Sequence, residues 1–186
     1  MLFGLAGPGH ATPIDQVASS VIAFSSEFDT PRWAAAQALG APDTFAYGDF
    51  DTSWAASTPN SSLETITLGY DTPVFATGAT VRETWGNGFV FKIDVLDLSD
   101  VLHNVWTGTD PSLPGTPVDF VTSWTQTSFL VKGLKIYVDP LLDTDWEEID
   151  SVLLSGDTVA IPEPSTALLL GFGLAALAAK RSCPTR

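Results

Sequence analysis

Short stretches of β-branched and aromatic residues, separated by turn residues, run through most of the 186-residue chain. The pattern is clearest where Ile66 and Leu68 alternate with threonines, because a two-residue period places alternate side chains on opposite faces of a strand. A strong turn signal, Gly86-Asn87-Gly88, separates two of the stretches. The predicted strands are 17–24, 64–68, 74–84 (one strand, or two broken at Gly78), 91–95, 101–106, 120–124, 129–138 and 149–154. About eight short strands without βαβ alternation predict an all-β, antiparallel β-sandwich.

One segment in the first third of the chain is predicted to be a short helix. Thr30 can cap its first turn, and Pro31 occupies the first helical position, where the missing N–H of proline costs nothing. The helix then covers 32–39 and ends at Gly40. Trp33 falls on its apolar face, which indicates packing rather than binding.

The last 26 residues, Ile161 to Arg186, differ in character from the rest. Pro162-Glu163-Pro164 precedes an apolar run from Ala167 to Ala179, and Lys180-Arg181 follows the run. Thirteen residues of helix span about 20 Å, less than the roughly 30 Å hydrocarbon core of a bilayer. Because the run is apolar on every face, a buried amphipathic helix is disfavoured. We expect a C-terminal hydrophobic helix that engages a membrane, with its basic end in the cytoplasm.

The proline–glutamate–proline motif, the apolar run and the basic end, in this order, resemble the PEP-CTERM sorting signal of Gram-negative bacteria. The resemblance implies processing by an exosortase, which is an inner-membrane transpeptidase, and passage through the inner membrane to the cell surface or extracellular matrix. Proteins of many functions carry this signal. It therefore implies an address and not an activity.

The start of the chain agrees with export. Met1 to Ala11 is short and apolar, and its last residues, Gly9-His10-Ala11, are similar to the small-x-small pattern before signal-peptidase cleavage. We interpret 1–11 as the remnant of a signal peptide and 12–158 as the folded body. Residues 159–186 form the sorting signal with its short hydrophobic helix.

The body is strongly acidic. Residues 12–160 hold 21 Asp and Glu against five Lys and Arg, a net charge of −16. Such a surface repels nucleic acid and anionic lipid headgroups, whereas divalent cations and neutral glycans are compatible with it. The only cysteine, Cys183, lies in the tail. The body therefore has no disulfide and must be stabilised by packing or by a bound ion.

Further motifs are spread over nearly the whole body. They are Trp33, Gln37-Ala38-Leu39-Gly40-Ala41-Pro42, Tyr47-Gly48-Asp49, Trp54, Glu64-x-Ile66-x-Leu68-Gly69-Tyr70, Pro73-Val74, Ala76-Thr77-Gly78, Arg82-Glu83-Thr84 and Trp146-Glu147-Glu148-Ile149-Asp150. Together they resemble discoidin-type modules of the galactose-binding-like superfamily. The resemblance implies an eight-stranded jelly-roll sandwich whose loops meet ligands at one end. This sequence lacks the cysteine pair of coagulation-factor domains and a matching sugar-binding His, Arg and Asn set, so the ligand class does not carry over.

Residues for catalysis are scarce in the body. Its single histidine, His103, lies at the start of a predicted strand, and no cysteine accompanies it. Nucleophilic machinery of the Cys/His or Ser/His/Asp type would depend on His103 alone. We therefore expect a surface histidine and a protein that is not an enzyme.

The superfamily resemblance also implies a cofactor. In its calcium-bearing members, the loop after the first strand and the start of the last strand meet around one ion. The corresponding positions here are 39–43 and Glu147-Glu148. We therefore expect a Ca²⁺ site with Asp43 and Glu148 as charged ligands and carbonyl groups near Gly40 as neutral ones. The usual Asp-Gly-Asn-type loop is replaced by Gly40-Ala41-Pro42-Asp43, which removes at least one side-chain ligand.

Exposed aromatic rings are the other candidates for binding, because they stack on sugars. Trp85 and Phe89 flank Gly86-Asn87-Gly88, and we predict that their rings contact a ligand. The expected function is a non-catalytic binding module for extracellular polysaccharide. A structural surface or matrix protein without a small ligand is the alternative. A glycan-active enzyme and an ice-binding protein rank behind both.

Overall fold

A computed structural model describes residues 13–59, 63–140 and 145–160. These ranges contain nine strands and the 3-10 helix Ala35–Ala38, and none of their helices is long and apolar enough to cross a membrane. The strands are β1 Pro13–Val17, β2 Ser20–Phe24, β3 Trp54–Ala55, β4 Glu64–Trp85, β5 Val90–Asp97, β6 Leu102–Thr107, β7 Val118–Ser123, β8 Val131–Val138 and β9 Glu148–Asp157. The predicted signal-peptide remnant, the C-terminal hydrophobic helix and Pro162-Glu163-Pro164 lie outside the described residues.

Antiparallel pairing joins the strands into two sheets. In the first sheet, β9 pairs with β1 and β3 on one side and with the C-terminal half of β4 on the other, and β7 follows β4. In the second sheet the order is β2, the N-terminal half of β4, β8, β5 and β6. Apolar side chains of both sheets are fully buried between them, among them Val81, Ile93, Leu134 and Val152. The all-β, antiparallel sandwich expected from the strand pattern is confirmed.

β4 is 22 residues long and belongs to both sheets. The sequence predicts separate strands at 64–68 and 74–84, but the structure has one continuous strand. Asp71 and Thr72 are exposed between Tyr70 and Val74, which are only 6% and 0% exposed, so the strand bends at the surface of the sandwich and passes from one sheet to the other. Gly78 does not break the strand. A Cβ added there would lie 2.6 Å from the Thr122 carbonyl oxygen of β7. Glycine allows this close approach of two strands.

The first predicted strand, 17–24, is in fact two strands. β1 pairs with β9 in the first sheet, whereas β2 pairs with β4 in the second. The change occurs between neighbouring residues: Ala18 N–H donates to Val152 O at 3.0 Å, and Ser19 N–H donates to Gly69 O at 2.9 Å. Apolar content alone does not show which sheet a residue joins.

The predicted helix at 32–39 is reduced to one turn, Ala35–Ala38. Thr30 does not cap it, because the Thr30 hydroxyl donates to Glu27 Oε1 at 2.8 Å. The other Glu27 oxygen accepts from the Ala35 N–H at 2.9 Å. Trp33 has a φ of 50°, in the left-handed region, where a helix cannot continue. The segment that contains Pro31 is therefore a loop held by Glu27.

Candidate functional site

A pocket opens at the end of the sandwich where β4 ends and β9 begins. Its volume is about 190 Å³, below the roughly 300–1,000 Å³ of sites for drug-sized ligands. Its lining residues come from the connection between β2 and β3, from β3 and from the start of β9: Phe28, Trp33, Asp49, Ala55, Trp146 and Glu148. Three aromatic rings and two carboxyl groups thus face a space suited to one small ring-shaped ligand.

Contacts between the aromatic residues fix the orientation of their rings. Phe28 packs edge-on against Trp33 and against Trp146, with ring centroids 5.4 Å apart in each pair. Trp146 donates its indole N–H to the Ala56 carbonyl at 3.0 Å. The left-handed backbone of Trp33 is uncommon for a bulky residue and persists only where the surrounding structure holds it. Rings held in this way lose little freedom when a ligand binds.

Glu148 is the buried acid of the pocket, with 1% of its surface exposed. Its Oε2 accepts hydrogen bonds from the Phe50 N–H at 3.3 Å and from the Thr84 hydroxyl at 3.4 Å. Burial raises the pKa of Glu148 to about 8, and the neighbouring Asp49 adds to the rise. At neutral pH the Glu148 carboxyl therefore keeps its proton and can donate a hydrogen bond. Asp49, exposed at the rim, supplies acceptors.

The two aromatic residues predicted from the sequence lie outside this set of lining residues. Trp85 is half-buried and packs against Tyr47, with ring centroids 4.9 Å apart. Phe89 is fully buried in the core. The expectation that its ring is exposed is therefore wrong, because the large apolar ring is stabilised by burial between the sheets. A binding role for Trp85 stays a prediction.

The loop after β2 meets β9, as the calcium prediction requires. The Asp43 N–H donates to the Asp150 carboxylate at 3.2 Å, and the Gly40 carbonyl accepts from the Ser151 hydroxyl at 2.7 Å. Asp43 is thus placed beside Asp150, whereas Glu148 lines the pocket. Across the described ranges, no group of three or more His, Cys, Asp or Glu side chains is arranged to hold a metal. Calcium binding by Asp43 and Glu148 stays a prediction.

The sequence interpretation missed Phe28 and Asp49 and assigned Trp33 to packing. These residues lie in connections that lack the periodicity on which strand and helix predictions depend. One signal was available: the connection 43–54 is rich in aromatic residues, and Trp146 stands directly before the acidic start of β9. Aromatic and acidic residues in loops are typical of ligand sites.

His103, on β6, belongs to another part of the sandwich. Its ring lies against Phe129, with centroids 4.3 Å apart, and its Nε2 is 2.9 Å from the Asp97 carboxylate. The hydrogen bond with His103 holds the pKa of Asp97 below its ordinary value. These contacts join β6 to the connection before β8, which is a structural role.

Solved structures share this fold at low sequence identity. A truncated AlyQ with CBM32 and alginate lyase domains aligns over 83% of this chain and 36% of its own, with 18% identity and a TM-score of 0.55. A chain of the structure of reduced XRCC1 bound to the DNA pol beta catalytic domain aligns over 77% and 99%, with 13% identity and a TM-score of 0.53. Allantoicase from Saccharomyces cerevisiae aligns over 73% and 39%, with 10% identity and a TM-score of 0.52. The fold is a discoidin-like β-sandwich, as the resemblance implied.

The C-terminal tail carries a signal for export and sorting. Residues 160–182 match the PEP-CTERM protein-sorting motif, which confirms the resemblance of the tail to this sorting signal. The motif implies exosortase processing, export and sorting to the cell surface in bacteria. A search among curated proteins finds no significant sequence match.

Proposed function

We propose that the protein is an exported, exosortase-processed surface or matrix protein whose sandwich binds extracellular polysaccharide without catalysis. The observation that carries this proposal is the pocket, in which aromatic faces are bordered by the carboxyl groups of Asp49 and Glu148. A sugar ring has apolar C–H faces and a polar hydroxyl edge, so it matches such a surface. The CBM32 domain of AlyQ, which has this fold, supports the same proposal.

The negative charge of the body limits which polysaccharides can bind. The body has a net charge of −16, and the Asp49 carboxylate faces the pocket, so polyanions such as alginate are repelled. Neutral and amino-sugar polymers do not meet this repulsion. We therefore infer a neutral or amino-sugar polysaccharide that places one sugar unit in the pocket.

Binding of the full chain to immobilised polysaccharides tests the proposal. Trp33→Ala should weaken binding at least tenfold, equivalent to about 1.4 kcal/mol, because one stacking face is lost. Asp49→Asn should weaken it less, and alginate should not bind. Trp85→Ala is the matched control, since its ring packs on Tyr47 outside the set of lining residues.

Each outcome of this experiment has a defined meaning. Loss of binding in Trp85→Ala alone would move the site to the position predicted from the sequence. Absence of binding to any neutral or amino-sugar polymer would instead favour the alternative, a structural surface or matrix protein without a small ligand.

Routing is tested separately. In a host with an exosortase, the body should be found outside the inner membrane without its tail. Replacing Pro162-Glu163-Pro164 by alanines should leave a membrane-held precursor. Unaltered protein that stays in the cytoplasm would contradict the export route.

A further inference from the structure

A second group of polar side chains is buried at the same end of the sandwich, outside the pocket. Glu83, near the end of β4, is completely buried, and Asp110 and Asn87 are only 5% and 6% exposed. The two-residue period of β4 places Glu83 on the same face as the core residue Val81. Acidic side chains are almost never buried to this extent unless they are paired.

Backbone groups hold one end of each side chain. The Gly88 N–H donates to Glu83 Oε2 at 2.8 Å, and the Ser112 N–H donates to Asp110 Oδ1 at 2.8 Å. The amide nitrogen of Asn87 donates to two backbone carbonyls of the connection that contains Asp110, at 2.8 and 3.2 Å. The β4–β5 turn and the β6–β7 connection therefore fix all three side chains in place.

The remaining oxygen of each side chain accepts no hydrogen bond from a donor group of the described residues: Glu83 Oε1, Asn87 Oδ1 and Asp110 Oδ2. The carboxyl groups of Glu83 and Asp110 are in hydrogen-bond contact with each other, yet two carboxylates offer only acceptors. In the described part of the chain, no lysine, arginine or histidine forms a salt bridge with either acid. Buried negative charge without a partner is strongly destabilising. A positive species must therefore accompany the two acids.

We propose that Glu83, Asp110 and Asn87 bind a divalent cation, Ca²⁺, through these three oxygens. Calcium takes six to eight oxygen ligands from carboxylates, amides and backbone carbonyls, and all three unpaired atoms are of this kind. Gly88, whose N–H donates to Glu83, also lies against the β6–β7 connection, since a Cβ added to it would lie 2.7 Å from the Ser112 carbonyl oxygen and 3.6 Å from that of Asp110. The site is distinct from the one predicted at Asp43 and Glu148.

An ion at this position would tie the β4–β5 turn to the β6–β7 connection in a body without a disulfide. This role is structural and independent of polysaccharide binding. The competing occupant is a proton shared by the two acids. Burial, together with Asp110, raises the pKa of Glu83 to about 10, which describes the site when no cation is bound.

Melting of the full chain in EDTA and in excess calcium at pH 7.5 tests the proposal. The melting temperature should rise by about 5–10 °C when calcium is at a hundredfold excess over its Kd. Glu148→Gln should retain the part of this rise in melting temperature that is due to Glu83 and Asp110. Glu83→Gln and Asp110→Asn should each abolish that part. Asp15→Asn, an exposed acid on β1, is the matched control and should behave like wild type.

Equilibrium dialysis with calcium gives a result even if a Glu83 variant does not fold. The Glu148→Gln chain should bind one ion, and no bound ion would overturn the proposal. A calcium-dependent rise that survives Glu83→Gln in the Glu148→Gln background would also overturn it. If wild type binds no calcium and Glu83→Gln is the more stable chain in EDTA, the two acids share a proton instead.

Discussion

Glu83 and Asp94 are both buried acids of the sandwich, and they differ in their partners. Asp94, on β5, accepts hydrogen bonds from the Lys92 ammonium at 2.8 Å and the Tyr137 hydroxyl at 2.7 Å. The Asn104 amide also donates to it, at 3.0 Å. Burial alone would raise the pKa of Asp94, but these donors together hold it below its ordinary value. Asp94 is therefore an ionised acid whose counter-ion is part of the protein.

Glu83 has a single backbone donor, the Gly88 N–H, and its nearest titratable neighbour is another acid, Asp110. Burial therefore raises the pKa of Glu83 instead of being offset. Both acids are almost inaccessible to solvent, yet one forms a self-sufficient ion pair and the other depends on a proton or a cation. The difference teaches that the donors around a buried carboxyl group, together with its burial, decide its charge.

The largest effect is expected from pH in EDTA. The pKa of Glu83 is about 10 in the folded state against an ordinary 4.5, so the folded state keeps a proton that the unfolded state releases. Its stabilising contribution is full below pH 4.5 and is lost as pH rises towards 10, by up to about 1.4 kcal/mol per pH unit. Melting temperatures measured from pH 5 to 9 should fall in wild type and fall less steeply in Glu83→Gln, in which the raised pKa of Glu148, about 8, still contributes. Parallel profiles would remove Glu83 as the cause.

The calcium site predicted at Asp43 and Glu148 is tested in the Glu83→Gln background, where the other proposed cation is absent. If calcium binds there, a hundredfold excess over Kd should add about 2.7 kcal/mol, a rise of roughly 5–10 °C. Glu148→Gln or Asp43→Asn should abolish this rise. Identical melts in EDTA and calcium would show that Glu148, like Glu83 without a cation, is only a protonated buried acid.

Asp94→Asn tests the opposite side of the comparison. The variant keeps the shape of the side chain but removes the charge that Lys92 pairs with, at an expected cost of about 1–3 kcal/mol at pH 7. Because the folded pKa of Asp94 lies below the ordinary 3.8, its stabilisation is present above that pH and is lost as pH falls through the folded value. Urea unfolding should therefore separate variant and wild type at pH 7 and bring them closer together as pH falls below 3.8. A variant as stable as wild type at pH 7 would end the contrast with Glu83.

The smallest effect is expected for Lys92→Met. Lys92 is partly exposed and also lies over the Tyr137 ring, with its Nζ 4.2 Å from the centroid. Removing a partly exposed cation should cost less than about 1 kcal/mol, and added salt should reduce the difference. A larger loss in urea unfolding would show that Lys92, rather than Tyr137 and Asn104, keeps Asp94 ionised.

The fold was largely predictable and the site was not, for physical reasons. Burial of one face of each strand leaves an alternating pattern, as at Ile66 and Leu68, so the sandwich could be inferred locally. The sheet that a strand joins depends on pairing with residues far away in the chain. The sequence pattern therefore does not show that the chain changes sheet after Ala18 or that β4 belongs to both sheets. The pocket joins Trp33 to Glu148, which lie more than a hundred residues apart in the chain. A local sequence pattern cannot predict a contact between residues so far apart in the chain.

β9 connects the pocket at one end of the body with the sorting motif at the other. It begins at Glu148, in the pocket, and ends at Asp157, three residues before the sorting motif starts at residue 160. Its ten residues span about 33 Å, and Pro13 pairs with Asp157, so both ends of the body lie together. A body held by its C-terminal segment would stand with its chain ends towards the cell and its pocket about 30 Å outward. In a body attached in this way, the connection after β9 would set the direction in which the pocket faces.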